Sequence, residues 1–375
     1  RSRFAKICQE LEFKIPESGM ASNLDEAKKI SARVDYPVIC RPSYVLGGRR
    51  MEIVQDEIEL IDYFGRHGDH ISKDRPCLMD KFLENALEVD VDLVRGPDWN
   101  VIGGIIEHIE AAGVHSGDSM GVIPPQRLKP LTCVRIEQMA SRLADRIKVV
   151  GLLNLQLAIK NDEIYLLEAN PRSSRTVPFM AKATGIPMID LGVLAILGKK
   201  KHEMSLESYK WQNISTVSVK GVVFPFKKIT KSDSILGPEM KSTGESMGRG
   251  ADYSEALLKA CLSSDIIPPL SGEIFLSLRN KDKEVLFPMA QELIGLGYTL
   301  SATGGTAEYL SQKGLAVVNI RKVLEGRPHC VDRIKSGLVS LVINTAQGRQ
   351  SVEASFSIRR SCIEGSIHCI TEDDT

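Results

Sequence analysis

Two runs of alternating apolar residues, Leu153-Asn154-Leu155-Gln156-Leu157 and Ile164-Tyr165-Leu166-Leu167, flank the polar stretch Lys160-Asn161-Asp162-Glu163. Short alternating runs on either side of a tight turn constrain the chain to a β-hairpin. Such a hairpin brings Gln156 and Glu168 side by side on one face, and Asn170 in Glu168-Ala169-Asn170-Pro171-Arg172 extends the row. One carboxylate and two amide oxygens are hard ligands that suit magnesium when phosphates complete its octahedron. Arg172 and Arg175 add fixed positive charge where a phosphoryl group in transfer would lie. Taken alone, the five-residue run reads better as an ordinary strand with a proline-terminated exit and solvated arginines, because short motifs recur by chance.

The 375 residues are enough for two or three domains, and 43% hydrophobic with 26% charged residues describes a globular chain with a sizeable core. Lys+Arg and Asp+Glu are each 48, so no overall basic field favours nucleic acid or an anionic membrane. Any bound anion must be held by a local cluster. No apolar run approaches the ~20 residues of a membrane span, and Leu191 to Leu197, the longest, sits in a helix pattern. There is no signal-peptide pattern, and the chain opens at Arg1 without Met, as a fragment would. Eight cysteines without a C-x-x-C pair imply reduced thiols, hence the cytoplasm, with the mitochondrial matrix or plastid stroma as alternatives.

The elements alternate as in an α/β protein. Residues 4–12, 24–34, 57–66 and 130–149 read as helices, and 36–42 and 51–54 as strands on either side of the glycine loop 43–50. Residues 77–82, 87–94 and 101–109 read as three strands of one sheet. Residues 199–210 are charged and mark a connection. After Asp265, with Pro268 and Pro269 as punctuation, a second α/β unit begins with strands at 273–278, 299–302 and 339–344 and a helix at 285–296.

Arg41 followed by paired glycines puts a cation and mobile amides where a polyphosphate could meet them; a plain hairpin turn is the alternative. No G-x-x-x-x-G-K-[ST] or G-x-S-x-G motif occurs. His108 and His115 with Glu107, Glu110 and Asp118 match no standard zinc spacing.

Together, Arg41-Pro42-Ser43-Tyr44-Val45-Leu46-Gly47-Gly48, Glu88-Val89-Asp90-Val91-Asp92, Glu107-His108-Ile109-Glu110, Ala112 to Asp118, Gln156 and Glu168 to Arg172 resemble the second ATP-grasp module of the carbamoyl phosphate synthetase large chain. The likeness continues through Leu236 to Glu245. It ends in a unit similar to a methylglyoxal-synthase-like regulatory domain, carried by Ala302-Thr303-Gly304-Gly305-Thr306-Ala307 and Glu325-Gly326-Arg327-Pro328-His329. The resemblance implies an ATP-grasp domain at 1–198, the remainder of the synthetic unit and a connection at 199–264, and an allosteric domain at 265–375.

It also implies roles. Arg41 would meet the nucleotide phosphates under the Gly47-Gly48 loop, and Arg1 falls at another phosphate-side position. Lys81 and Leu83 would face adenine, Glu88 the ribose hydroxyls, and Gly113, Val114, His115 and Ser116 the opposite wall. Gln156, Glu168 and Asn170 would hold Mg2+ or Mn2+, and Arg172 and Arg175 would stabilise the γ-phosphoryl group and the incoming carbamate. The implied reaction is phosphorylation of carbamate by ATP to carbamoyl phosphate, serving pyrimidine or arginine biosynthesis. A glutamine amidotransferase small subunit would be the partner through the full-length large chain, in an oligomer. The alternatives are another ATP-grasp carboxylate ligase, such as a biotin carboxylase relative, or a catalytically incomplete nucleotide-binding module.

In the regulatory unit the resemblance gives Lys283, Thr303, Thr306 and Lys322 to the phosphate of a nucleotide monophosphate, IMP or UMP, and Asn344 and Ser355 to further contacts. Ala346 stands where many relatives carry a hydroxyl. Gly221 and Phe224 stand where ornithine-responsive relatives have Glu and an aliphatic residue, while Glu110 and Asp118 remain. Loss of one carboxylate would weaken an ammonium site by about 1.5–3 kcal/mol, so ornithine is expected to activate weakly or not at all, and Gly221→Glu to strengthen the response provided Phe224 leaves room, with Phe224→Leu beside it where it does not.

Overall fold

The computed structural model describes residues 2–45, 47–229, 233–346 and 349–371; Arg1 and Leu46, both named above, lie outside them. Two compact units emerge, one of Arg1–Val223 with Leu236–Ser264, the other of Phe224–Ile235 with Asp265–Thr375.

The first unit holds two sheets. The smaller runs β1 (Ser18–Ala21), β4 (Cys77–Lys81), β2 (Val38–Pro42), β3 (Glu52–Val54), antiparallel throughout. Helices Leu24–Val34 and Glu57–His67 cover one face, which buries Val38, Cys40, Cys77 and Met79 beneath Ala27, Leu60 and Tyr63. Both helices start on a side-chain cap, Asn23 accepting from the Glu26 amide and Asp56 from the Glu59 amide. Residues 77–82 were expected in one sheet with 87–94 and 101–109. Instead Cys77–Lys81 pairs with β1 and β2, because its buried face is claimed by the core under these two helices.

The larger sheet runs β11 (Gly244–Gly250), β10 (Val217–Val223), β7 (Gly121–Ile123), β6 (Asn100–His108), β5 (Leu87–Arg95), β8 (Gly151–Lys160), β9 (Glu163–Asn170). Its core face carries Val89, Val91, Leu153, Leu155, Leu157 and Leu166, packed with Ile136, Ala140 and Leu143 of helix Pro130–Ile147. The turn between β8 and β9 places Asn161 at φ 52° and Asp162 at φ 61°. Two consecutive left-handed residues match the twist of the flanking strands, and Asn and Asp tolerate that conformation.

The second unit is a parallel sheet in the order β14 (Val317–Ile320), β13 (Thr299–Thr303), β12 (Glu273–Ser277), β15 (Val339–Asn344), β16 (His368–Ile370). The helix expected at 285–296 is divided into Asp282–Val285 and Phe287–Gly295, with Pro288 in the first turn of the second piece, where its missing N–H costs no bond. Both units are α/β in class. Among the described residues no single helix is long and apolar enough to cross a membrane.

Candidate functional site

The polar face of the larger sheet is built from two rows of cross-strand partners. Asp90, Gln156 and Glu168 form one row across β5, β8 and β9; Asp92, Asn154 and Asn170 form the next. The register of β9 shifts between Gln156 and Leu157, so that Gln156 opposes Glu168 while Leu157 opposes Leu166. Leu167 is therefore an extra residue, a β-bulge. Without it, strict alternation from the buried Leu166 would send Glu168 into the core; the bulge turns it to the face of Gln156.

The Gln156 amide nitrogen donates to Ser116 Oγ at 2.6 Å, which leaves Oε1 as the free oxygen. The half-buried Glu168 carboxylate has no hydrogen bond or ion pair among the described residues. A carboxylate and two amides presenting oxygen from one face fit a hard divalent cation, with the one unpartnered carboxylate supplying the charge.

The loop after β9 is held from below. Asp92 accepts from Asn154 Nδ2 at 3.1 Å and Ser174 Oγ at 2.7 Å, and also from Thr176 Oγ1. Burial pushes the Asp92 carboxyl up to about 6, with these hydrogen bonds opposing it. Arg172 and Arg175 on either side of Ser174 are exposed, and Arg175 Nη1 lies 3.1 Å from Met240 Sδ. The second row thus anchors the stretch that carries both arginines.

Glu88, Asp90 and Asp92 share a face of β5. Glu88 accepts from the Gly113 amide at 3.0 Å, joining two positions expected to face a nucleoside, and burial raises its pKa. His108 donates to Asp90 at 2.9 Å and lies 3.8 Å from Glu88; the two carboxylates outweigh burial and raise its pKa. Asp90 is held below the usual carboxylate range mainly by that histidine against the opposing effect of burial. Val114 is buried, and the pKa of half-buried His115 is lowered by burial.

Arg41 Nε lies 3.0 Å from Asp80, on the face of β2 opposite to Cys40. Lys81 gives its amide to Glu17 O and its Nζ to Tyr36 O at 2.7 Å, and Leu83, two residues on, is half-buried. Gly47 and Gly48 adopt φ 63° and 67°. Gly47 O accepts from the Met240 amide at 3.0 Å, and a Cβ on Gly48 would stand 1.8 Å from Pro238 O. The glycine loop is docked on residues 237–240, a partner the sequence did not disclose.

Glu107, Glu110 and Asp118 find other surroundings. Glu107 is taken by Arg127, and Asp118 accepts the amides of Lys241 and Ser242 at 2.7 and 2.9 Å. Glu110 is buried with Oε2 unpartnered, and burial pushes it up to about 7. The space expected for a side chain at Gly221 is filled: a Cβ there meets Ser246 Oγ at 2.3 Å, Ser264 Oγ at 2.7 Å and Ala260 O at 2.9 Å. This packing leaves no free space for the Gly221→Glu side chain, a constraint additional to the room expected to be set by Phe224. Sequence reasoning also missed Lys220, 1% exposed, whose Nζ donates to Ser116 O at 2.9 Å.

In the second unit Ser277, Thr303 and Asn344 end three adjacent parallel strands, the edge where α/β sheets bind ligands. Helix Gly304–Gln312 starts there, and Lys283 Nζ donates to Gly305 O at 2.9 Å. Thr306 Oγ1 accepts from the Leu278 amide at 3.2 Å, and Lys322 lies two residues past β14 with an exposed side chain. Asn344 and Ser355 are joined by a residue not anticipated, Arg359, fully buried, whose Nη1 donates to Asn344 Oδ1 at 3.0 Å and Ser355 Oγ at 2.6 Å. Its remaining donors engage Val352 O and both oxygens of Asp233. All five N–H groups are thereby used.

Residues 1–202 match the family described as "Carbamoyl-phosphate synthase L chain, ATP binding domain", and residues 285–371 match the MGS-like domain. A carbamoyl phosphate synthase large chain of Methanoculleus marisnigri is 44% identical over 371 residues, 99% of this chain and 35% of the relative. That of Archaeoglobus fulgidus is 45% identical over 372 residues, 99% of this chain and 34% of the relative. The chain spans about a third of these relatives. Among solved structures, a biotin carboxylase complex with β,γ-ATP from Campylobacter jejuni aligns with TM-score 0.56 at 17% identity, covering 69% of this chain and 64% of that one. An ADP complex of N5-carboxyaminoimidazole ribonucleotide synthetase aligns with TM-score 0.55 at 16% identity, covering 71% and 70%. At such identities the likeness speaks for the fold alone.

Proposed function

Because the chain belongs to the carbamoyl phosphate synthase large-chain family, we propose that its first unit transfers the γ-phosphoryl group of ATP to carbamate. The observation that carries this reading is the unpartnered Glu168 carboxylate, set opposite Gln156 by the Leu167 bulge. In the reaction a carbamate oxygen attacks the γ-phosphorus, the bond to the β–γ bridging oxygen breaks, and ADP leaves with that electron pair. A magnesium ion held by Gln156, Glu168 and Asn170 would draw charge from the phosphates. Arg172 and Arg175, on a loop tied to Asp92, balance the charge of the transferring group and orient carbamate. Glu88 accepts from the ribose hydroxyls, Lys81 and Leu83 border adenine, and Gly113 to Ser116 form the facing wall. Arg41 and the glycine loop close over the phosphates and exclude water, which would hydrolyse a labile product.

The extents proposed are 1–198 for the ATP-grasp domain, 199–264 for the rest of the synthetic unit, and 265–375 for an allosteric domain. There a nucleotide monophosphate, IMP or UMP, would seat its phosphate between Lys283, Lys322 and the Thr303–Thr306 turn, with Asn344 and Ser355 contacting the remainder. In the longer chain, carbamate would arrive with the help of a glutamine amidotransferase small subunit.

Calorimetric titration of the chain with MgADP tests the nucleotide site. Glu168→Gln is expected to lose the magnesium-dependent part of the affinity and keep the magnesium-free part; equal magnesium dependence in both proteins contradicts the assignment.

A further inference from the structure

A cavity of about 470 Å³ opens behind the glycine loop, bordered by Pro42, Ser43, Tyr44, Arg50, His70 and Arg75. That volume lies within the range of small-molecule sites. No Asp or Glu lines it. Side chains alternate along a strand, and Pro42 follows Cys40 onto the helix-covered face of β2, whereas Arg41 lies on the other face against Asp80. The cavity therefore lies on the other side of β2 from Arg41, and shares with the proposed nucleotide site only the loop 43–50.

The charges on the residues that line it are of one sign, and the nearby Glu239 carboxylate is met by the Arg50 backbone amide at 3.4 Å rather than by its guanidinium. Nearby Arg66 and His67 are paired with Glu52 and Asp62. The side chains of Arg50, His70 and Arg75 hold no hydrogen bond or ion pair among the described residues. Tyr44 and Arg50 both occupy the left-handed region, at φ 59° and 61°, so the loop keeps two non-glycine residues in a costly conformation that presents them to this space. Ser43 Oγ already donates to Pro76 O, which ties the loop to the segment that carries Arg75.

We propose that this cavity is a second anion site, taking a phosphate or pyrophosphate group between Arg50, His70 and Arg75. Two guanidinium forks and an imidazole lining one cavity supply planar donors suited to phosphate oxygens. Tyr44, 89% exposed, gives an organic phosphate a ring to lie against. A bound anion bridges the loop to the 70–76 segment.

The test is calorimetric titration of the chain with inorganic pyrophosphate in the presence of a chelator, so that no metal-bridged phosphate collects at Glu168. Arms with inorganic phosphate and with AMP separate a free anion from the phosphate of a nucleotide. The wild type is expected to show a saturable site that Arg75→Gln with His70→Gln weakens at least about tenfold. Lys283→Ala with Lys322→Ala is expected to leave that site intact. Arg75→Glu alone, which reverses one exposed charge, provides the same comparison with less perturbation, and thermal melting confirms that each variant is folded. Equal affinity in wild type and the Arg75 variants overturns the proposal. So does loss confined to the Lys283/Lys322 pair, or the absence of a saturable site in the wild type. The readout requires no catalysis, so it succeeds or fails independently of the phosphoryl-transfer reading.

Discussion

A Cβ built on Gly221 stands 2.9 Å from the carbonyl oxygen of Ala260, with Ser246 and Ser264 hydroxyls nearer still. The helix Tyr253–Ser263 thus lies directly on β10 at this point. Gly221→Glu is expected to destabilise the first unit by about 1–3 kcal/mol through overpacking and to leave any response to ornithine unimproved. Urea denaturation with an ornithine titration checks both; a stable variant with a strengthened response would contradict the packing.

The glycine loop offers a graded comparison. A Cβ built on Gly47 makes only ordinary contact, with Met240 at 3.9 Å, whereas one on Gly48 would meet Pro238 O at 1.8 Å. Both are left-handed, so Ala at either costs about 1–2 kcal/mol of local strain. Gly48→Ala must also push the loop off Pro238. The expected result in steady-state kinetics of the full-length enzyme is a fall in kcat/KM for ATP of roughly 10–100-fold for Gly48→Ala and clearly less for Gly47→Ala.

Glu110 gives a pH signature. The folded carboxyl holds its proton up to about 7, the ordinary value being 4.5. Between those values the unfolded chain has released a proton that the folded chain retains, so stability falls as pH rises through this window and is level above it. Glu110→Gln removes the dependence. It is expected to stabilise the chain at pH 8 by on the order of 2 kcal/mol and to change little at pH 4. Denaturant midpoints at the two pH values decide it.

Arg359 is the most exacting buried charge in the second unit. Its substitution by Met removes both guanidinium bonds to Asp233, which keeps the Ile235 amide at 3.1 Å, and takes the same donor from the Asn344 and Ser355 oxygens. A loss of about 3–5 kcal/mol is expected, partly recovered by adding Asp233→Asn. Full stability of the single variant would show that the bidentate pair does not form.

The hairpin at 151–170 was legible because its turn residues and alternation agree with each other. The bulge was not, since Ile164 to Leu167 is apolar at every step but one and carries no mark of the extra residue. Strand Gly244–Gly250 reads Gly-Glu-Ser-Met-Gly-Arg-Gly and has little intrinsic strand preference. It exists because Gly248 lets helix Tyr253–Ser263 approach, a built Cβ there meeting Ala256 O at 2.0 Å. For Cys77–Lys81 the alternation gave a strand but could not say which sheet, because pairing across the chain decides that. Of the site, the placement of Gln156 opposite Glu168, with Asn170 on the same face in the next row, followed from the hairpin; the hydrogen bond between Glu88 and Gly113 did not. Asp92 beneath the arginine loop, buried Lys220, and Arg359 between Asn344 and Ser355 depend on burial, which no local pattern reports.

The most direct measurement is formation of ATP from carbamoyl phosphate and MgADP by this chain, with Glu168→Gln as the paired control. The account predicts magnesium-dependent ATP formation by the wild type and a loss of at least about a thousandfold in the variant, which retains its fold but lacks the single carboxylate among the proposed metal ligands. Ordinary ATP formation by Glu168→Gln, or none by the wild type in a form that binds MgADP, would contradict it.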